Sequence, residues 1–165
     1  TAPEKLVAGE VDFAVLPEEY EPDTPSAPLF EDSWVCAVWA GHPHTRDRFT
    51  VDEFLALPHL SFRLAGQDNG SIAESFLAAS GFERRIVAST ESFATAPFLL
   101  RDTSLVTLVP RRLGDRLREA ADVRLVEAPF EVPPLREKLI WSPRYDASAP
   151  HMWLRAHLIE VAKGL

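Results

Sequence analysis

Residues His59–Ser89 read HLSFRLAGQDNGSIAESFLAASGFERRIVAS, and the punctuation of this stretch decides the fold class. It opens with a β-rich run, His59–Leu64, and turns through the polar, two-glycine segment Ala65–Gly70. Ser71 is an N-cap residue, and Ile72, Phe76, Leu77 and Ala79 then recur at helical spacing on one side. Gly81 stops the helix in the left-handed conformation that a helix end favours. A second β-rich run, Arg85–Ser89, follows. Strand, turn, helix, turn and strand make one βα unit. Its two strands need a crossover connection, so they belong to a parallel sheet.

The pattern extends in both directions. Upstream, Val11–Leu16 (VDFAVL) has the apolar run of a strand buried on both faces, and Pro17 ends it. Pro17 to Pro28 holds four prolines and several acids and is expected to be a loop. Phe30–Ala40 is read as one strand, stopped by Gly41-His42-Pro43. Thr50 and Glu53 have capping-box spacing for a short helix that stops before Pro58. Downstream, Phe93–Arg101 has the length and apolarity of a helix and Leu105–Val109 is a strand. Pro110 is placed at the first position of another helix. Val123–Val126 and Leu135–Trp141 are the last strands. Ala149–Val161 is a closing helix with Trp153, Leu154, His157, Leu158 and Val161 on its apolar stripe. The expectation is a mostly parallel sheet with helices on its faces.

Composition narrows the function. The 165 residues are 46% apolar and 25% charged, the balance of a globular protein. Cys36, the single cysteine, excludes a disulfide framework or a Cys-rich zinc fold. The formal charge of −8 is concentrated. Residues 1–40 hold nine acids and one base, and the rest is balanced. Such a surface repels phosphate, so these residues are not expected to bind nucleic acid. No apolar run approaches the ~18 residues of a membrane span. Nucleophile elbow, P-loop and dinucleotide fingerprint are all missing. His42 and His44 have spacing that a strand could offer to a metal, but no carboxylate or cysteine motif completes the set. They read as a polar turn, and no metal or cofactor is assigned. His151 and His157 are six apart, outside helical metal spacing. Cys36 reads as a small buried hydrophobe, and Asp12 as a residue pairing locally.

Binding chemistry is better represented. Ligands of open α/β sheets sit beyond the carboxyl ends of strands. Leu16-Pro17 offers a rigid apolar edge there. Ser89-Thr90-Glu91-Ser92 offers hydroxyls and backbone N–H groups at the expected start of the Phe93–Arg101 helix, a place suited to ligand oxygens. Trp141-Ser142 offers an aromatic wall and a hydroxyl. The plainer alternative is that Thr90 or Ser92 caps its own helix.

The order of these segments resembles the LysR-type transcriptional regulators. GEVDFAVLP (Gly9–Pro17) is similar to their G-x-x-D-x-A-I strand, and LFEDSWVCAVWAGHPH (Leu29–His44) to their crossover strand with its H-P-L hinge. PHLSF (Pro58–Phe62) and SIAESFLAASGFERRIV (Ser71–Val87) match the middle of their effector-binding domain. LVTLVPRRL (Leu105–Leu113) resembles their G-x-x-L-L-P strand. LIWSPRYDASAPHMWLRAHL (Leu139–Leu158) resembles the closing segment of the branch with the nodulation and nitroaromatic regulators.

The resemblance implies a two-lobed fold of the type II periplasmic-binding-protein kind with a ligand cleft between lobes. Lobe I takes residues 1–40 and 128–165 and is incomplete at its N-terminus; lobe II takes 41–127. The hinge falls on Gly41, His42 and Pro43 and on Glu127, Pro129 and Pro133. Ligand contacts carry over to Leu16, Pro17, Thr90, Glu91, Ser92, Phe93, Trp141 and Ser142. Phe62 and Arg63 are added, the latter facing a ligand carboxylate. Two motif positions depart from the family: Arg101-Asp102-Thr103-Ser104 replaces a glycine-rich turn, and Ser142 replaces a histidine. The implied function is effector sensing without catalysis. The implied partners are a small acid, expected to be aromatic, DNA reached only through a winged helix–turn–helix upstream of Thr1, and further copies in a homodimer or tetramer. The implied location is the cytoplasm, without membrane contact. The rival readings are a periplasmic-type solute-binding protein, which an upstream signal sequence would mark, and a small α/β enzyme, which turnover lost on mutating Glu91 would mark.

Overall fold

The structure is a computed structural model that describes residues 2–18, 24–63 and 70–164. The chain divides into two compact units, one of residues 1–31 and 135–165, the other of residues 32–134. The first holds α1 (Ala2–Ala8), β1 (Phe13–Pro17), most of β2 (Ser26–Asp32), β8 (Leu135–Trp141), a short 3-10 turn (Pro143–Tyr145) and α5 (Ala149–Ala162). The second holds β3 (Trp34–Trp39), α2 (Val51–Ala56), β4 (Pro58–Phe62), α3 (Ile72–Ala79) and β5 (Arg85–Thr90). It continues with a 3-10 helix (Ala96–Leu100), β6 (Val106–Pro110), α4 (Arg111–Leu117) and β7 (Val123–Val126).

The second unit is built on a five-stranded sheet, ordered β5-β4-β6-β3-β7. β4 is parallel to β5 and β6, while β3 is antiparallel to both β6 and β7. The sheet is mixed rather than mostly parallel as expected: β3 alone is reversed, and because it sits between β6 and β7 two of the four pairings are antiparallel. That reversal also assigns β3: it pairs inside the second unit, so the expected boundaries at 40/41 and 127/128 fall within that unit. The βα unit that decided the fold class is present. Ser71 caps α3 through its side chain, and Gly81 takes φ +70°. The capping box at Thr50 and Glu53 is complete. Leu64 and the expected turn Ala65–Asn69 lie outside the described residues.

Each face of β4 has its own core. Leu60 packs with Val35, Ala37, Leu100, Val109 and Val123 on the side of the 3-10 helix. On the alternate side His59 is buried and its Nε2 meets the Phe54 carbonyl at 3.0 Å. Phe54 stands edge-on to both His59 and Phe130, and Phe76 and Phe82 reach the same Phe130 ring. Cys36 is wholly buried, and burial pushes its thiol well above the ordinary range.

In the first unit β1 is antiparallel to β8, with β2 on the other side of β8. Leu6, Leu139, Ile140 and Ala162 are buried here.

Five local expectations change. Phe30–Ala40 is not one strand: Ser33 separates β2 from β3. The Asp32 carboxylate accepts from the Ser33 N–H and from the Arg112 N–H at the start of α4, which fixes a break there. Pro28 is therefore strand rather than loop. Pro110 ends β6 and precedes α4 instead of occupying its first turn. Phe93–Arg101 is not an α-helix but a 3-10 helix over Ala96–Leu100. Pro97 disrupts the preceding turn, and Ser92 and Thr95 bind the backbone in its place. Finally, the expected apolar stripe of α5 faces outward. Trp153 is 69% and Val161 56% exposed, whereas His151, Arg155, Ile159 and Ala162 form the covered stripe.

Candidate functional site

The residues singled out by the sequence sit in separate clusters, each with its own local cause. The richest is the loop after β5. The Thr90 hydroxyl meets that of Thr95 at 3.2 Å and accepts from the Ser92 N–H at 3.3 Å. The Ser92 hydroxyl accepts from the Thr95 N–H, and the Thr95 hydroxyl donates to the Ser92 carbonyl at 3.1 Å. Three hydroxyls are thus held in one small network in which each is both structural and near solvent. The capping alternative does not hold: the N-cap of the 3-10 helix is Thr95, without a side-chain cap, and the Ser92 oxygen closes the turn before it. Thr95 was not singled out by the sequence, and a hydroxyl five residues after Thr90 with a proline two further on was the available signal. The expected anion site at a helix N-terminus loses its helix, since the 3-10 helix here has no side-chain cap.

Beside these hydroxyls lies an aromatic pair. Phe62 and Phe93 stack with centroids 3.8 Å apart and planes 6° from parallel, and Trp34 tilts onto Phe93 at 5.5 Å. Phe62 is buried and Phe93 half-buried, so Phe93 presents the accessible ring. Glu91 and Arg63 are exposed, and the Arg63 N–H donates to the Thr90 carbonyl at 2.9 Å. The structure therefore brings Phe62, Arg63, Thr90, Glu91, Ser92 and Phe93 to one end of the β4–β5 pair.

On the α3 side of the same strand end lies a cavity of about 370 Å³, lined by Ser61, Phe62, Arg63, Glu74, Phe82 and Arg84 among others. The Arg84 guanidinium donates to Glu74 at 2.6 Å in a largely covered ion pair. Among the described residues the Ser61 hydroxyl is buried with no protein partner.

In the first unit the expected residues part company. β1 and β8 run antiparallel, so Leu16 faces Lys138 and Pro17 faces Glu137, while Trp141 faces Phe13. Leu16 and Trp141 are thus at opposite ends of the pair, roughly 10 Å apart along the strands. The reading of strand ends assumed parallel neighbours, which would have put both at one edge. Trp141 and Ser142 are both buried. The Trp141 indole N–H donates to Asp146 at 2.9 Å, and the Arg155 guanidinium lies 4.4 Å over its ring. Leu16 and Pro17 are half-buried.

The residues expected at the hinge all fall within the second unit. His42 is buried, and its Nδ1 accepts from the His44 N–H at 3.1 Å. Burial holds both imidazoles below their ordinary pKa. Glu127 is tied down rather than free. Arg111 grips its carboxylate at 2.8 and 2.7 Å, and its backbone bonds Phe49 and Asp47. Pro133 accepts from the Trp34 indole N–H at 3.0 Å. Among the described residues no cluster of His, Cys, Asp and Glu could hold a metal ion, and no helix is long and apolar enough to cross a membrane.

The arrangement offers hydroxyls, a half-buried aromatic ring and an exposed arginine, groups that bind and orient. Nodulation protein D 2 of Rhizobium tropici is 28% identical over 159 residues, spanning 96% of this chain and 51% of its own length. Nodulation protein D 2 of Bradyrhizobium elkanii is 30% identical over 160 residues, spanning 96% and 48%. The chain spans about half the length of these relatives. Among solved structures, a probable transcriptional regulator from Pseudomonas aeruginosa superposes with a TM-score of 0.81 at 28% identity, over 98% of this chain and 52% of that one. The regulatory domain of MexT, a transcriptional activator of the same organism, gives 0.79 at 23% identity, over 96% and 76%. The LysR substrate binding domain matches residues 1–163, almost the whole sequence. The two-sheet α/β architecture is that of these regulatory domains, and the chain belongs to the LysR substrate-binding domain family.

Proposed function

We propose that this chain is the effector-sensing part of a bacterial transcriptional regulator and that it binds rather than converts its ligand. The ligand is a small aromatic acid. Phe93 and the Phe62 behind it take its ring, the hydroxyls of Thr90 and Ser92 take its polar edge, and Arg63 takes its carboxylate. Glu91 lies beside them and selects against a second negative charge. Trp141 and Ser142 act indirectly, as the buried support of β8. Binding shifts the population of two states of the domain. DNA is contacted by a winged helix–turn–helix outside residues 1–165, in a cytoplasmic homodimer or tetramer of the whole regulator.

The observation that carries this reading is the hydroxyl network of Thr90, Ser92 and Thr95 in the segment that also holds Phe93, stacked on Phe62 at the end of β4. A thermal-shift screen of aromatic and aliphatic carboxylic acids tests it. An acid at about a hundredfold its Kd adds about 2.7 kcal/mol of stability. The expected result is a rise in Tm with an aromatic acid that is lost in Phe93→Ala and reduced in Thr90→Val. Stabilisation by aliphatic acids alone removes the aromatic assignment. A shift that survives both variants moves the site elsewhere.

A further inference from the structure

Residues 127–134 lead from β7 into β8 and are held along their length. At the start Arg111 grips the Glu127 carboxylate and donates from Nε to the Ser33 hydroxyl at 3.1 Å. In the middle Phe130 lies against Phe54, Phe76 and Phe82. At the end the Trp34 indole N–H donates to the Pro133 carbonyl at 3.0 Å. The first and last of these holds tie the segment to Ser33 and Trp34. Those residues stand just past the point where the chain enters the second unit, which it leaves after Pro134.

Trp34 is the hold that also meets the loop after β5. Its buried ring lies 5.5 Å from Phe93, tilted by 58°. Phe93 is backed by Phe62 at 3.8 Å, so it has no room to yield on that side.

We propose that Trp34 is a positioning residue, which couples occupancy of the Phe93 ring to the placement of Pro133 and of the segment entering β8. The inference rests on the reading that Phe93 takes the effector's ring. A ligand ring stacked on Phe93 resets the tilt between Phe93 and Trp34, because packed interiors transmit strain rather than absorb it. The indole is rigid, so its N–H moves with its ring. Its bond to Pro133 is directional and weakens steeply off line. Pro133 and Pro134 have fixed φ and no N–H, so the segment responds as a stiff piece held by that carbonyl. Ring, indole N–H and carbonyl form one contiguous chain of contacts. β3 carries its own control: Trp39, at the opposite end of the strand, donates its indole N–H to Asp122 at 3.2 Å.

Amide and indole NMR spectra of the 165-residue chain titrated with benzoate test this, with circular dichroism to confirm that each variant is folded. In the native chain the Trp34 indole N–H and the amides of Val132 and Leu135 are expected to shift along one saturation curve. Trp34→Phe keeps a ring beside Phe93 and removes the donor. Benzoate is expected to bind it within about threefold of the native Kd, while the Val132 and Leu135 shifts vanish. Trp39→Phe retains them. Shifts that survive Trp34→Phe, or that vanish equally in Trp39→Phe, overturn the proposal. So does a loss of affinity of about tenfold or more in Trp34→Phe, because the residue would then build the site rather than relay from it. A Trp34 indole that stays still while Val132 and Leu135 move overturns it in the native chain, without any Trp34 variant. Benzoate that does not bind counts against the effector reading alone. The relay is then read without ligand from Phe93→Leu, which is expected to shift Val132 and Leu135 in the native background and not in Trp34→Phe. Equal shifts in both backgrounds overturn it.

Discussion

The two units solve the same burial problem to different degrees. In the second unit β3, β4 and β6 are covered on both faces, by the 3-10 helix and Leu100 on one side and by α2, α3 and Phe130 on the other. In the first unit β1 is only half-buried, and α5 turns Met152, Trp153, Leu154 and Val161 outward. Stability from apolar burial scales with the area removed from water. The second unit therefore holds most of the apolar stabilisation of the chain. The first leans on specific polar anchors, above all Arg155 beneath Trp141.

The strongest way to break this comparison is Leu60→Ala. Leu60 is 2% exposed at the centre of the five-stranded sheet. Its truncation is expected to cost about 2–5 kcal/mol, because a two-sided core cannot collapse into the gap. Urea unfolding followed by circular dichroism reads this directly. A loss under ~1 kcal/mol would mean that the second unit is no better packed than the first.

His59 gives the next largest effect and is specific to the second unit. Burial pushes its pKa from 6.5 down to about 4. The folded state keeps the ring neutral, so the unfolded chain takes up a proton first as pH falls. The stability that His59 contributes is complete above about pH 6.5, is lost between there and about pH 4, and levels off below. The total is up to about 3 kcal/mol. Unfolding measured across this window should show a slope that His59→Gln flattens. Coincident slopes would show that the ring is protonated as readily in the fold as out of it.

The same contrast explains what was legible in the sequence. In the second unit the signals were local and repeated. Ser71 and Gly81 bracketed α3, Thr50 and Glu53 made their capping box, and β-rich runs marked β4, β5 and β7. The reversal of β3 was not legible, because strand direction is set by tertiary pairing. Nor was the 3-10 helix, since the apolar length of Phe93–Arg101 suits an α-helix and it is Pro97 that breaks it. In the first unit the apolar residues of α5 suggested its buried stripe, and they point to solvent. The stripe that is buried contains Arg155, whose value lies in the carbonyls and ring it meets. The site was legible in part for the same reason. Thr90, Ser92 and Phe93 lie in one loop, whereas the separation of Leu16 from Trp141 follows from an antiparallel pairing that residue types do not encode.

Arg155 sharpens the comparison from the side of the first unit. Its guanidinium donates to the Asp146 carbonyl at 2.8 Å and the Tyr145 carbonyl at 3.3 Å while lying over Trp141. Arg155→Met keeps most of the volume and removes the donors, leaving two carbonyls short of a partner. The expected cost is about 1–3 kcal/mol, with a change in Trp141 fluorescence and little effect on the second unit. An unchanged unfolding midpoint would mean that the packing of its stem, rather than its hydrogen bonds, holds α5.

The smallest effect should come from the residue that looks most costly to change. Trp153 is the largest apolar side chain on α5, and its indole lies parallel to the His157 ring at 5.5 Å, one turn along the helix. Both rings sit on the exposed side, so the pair shields little surface that water does not already reach. Trp153→Ser therefore removes apolar area that is exposed in both the folded and the unfolded chain. Serine has a slightly lower helix propensity than leucine-like residues, but it is close to tryptophan on that scale. Stability should change by no more than about 0.5 kcal/mol, the usual range for surface substitutions. Solubility should rise as the exposed patch shrinks. A loss comparable to that of Leu60→Ala would erase the difference between the units, because it would require the outward face of α5 to be covered when the chain is folded in solution.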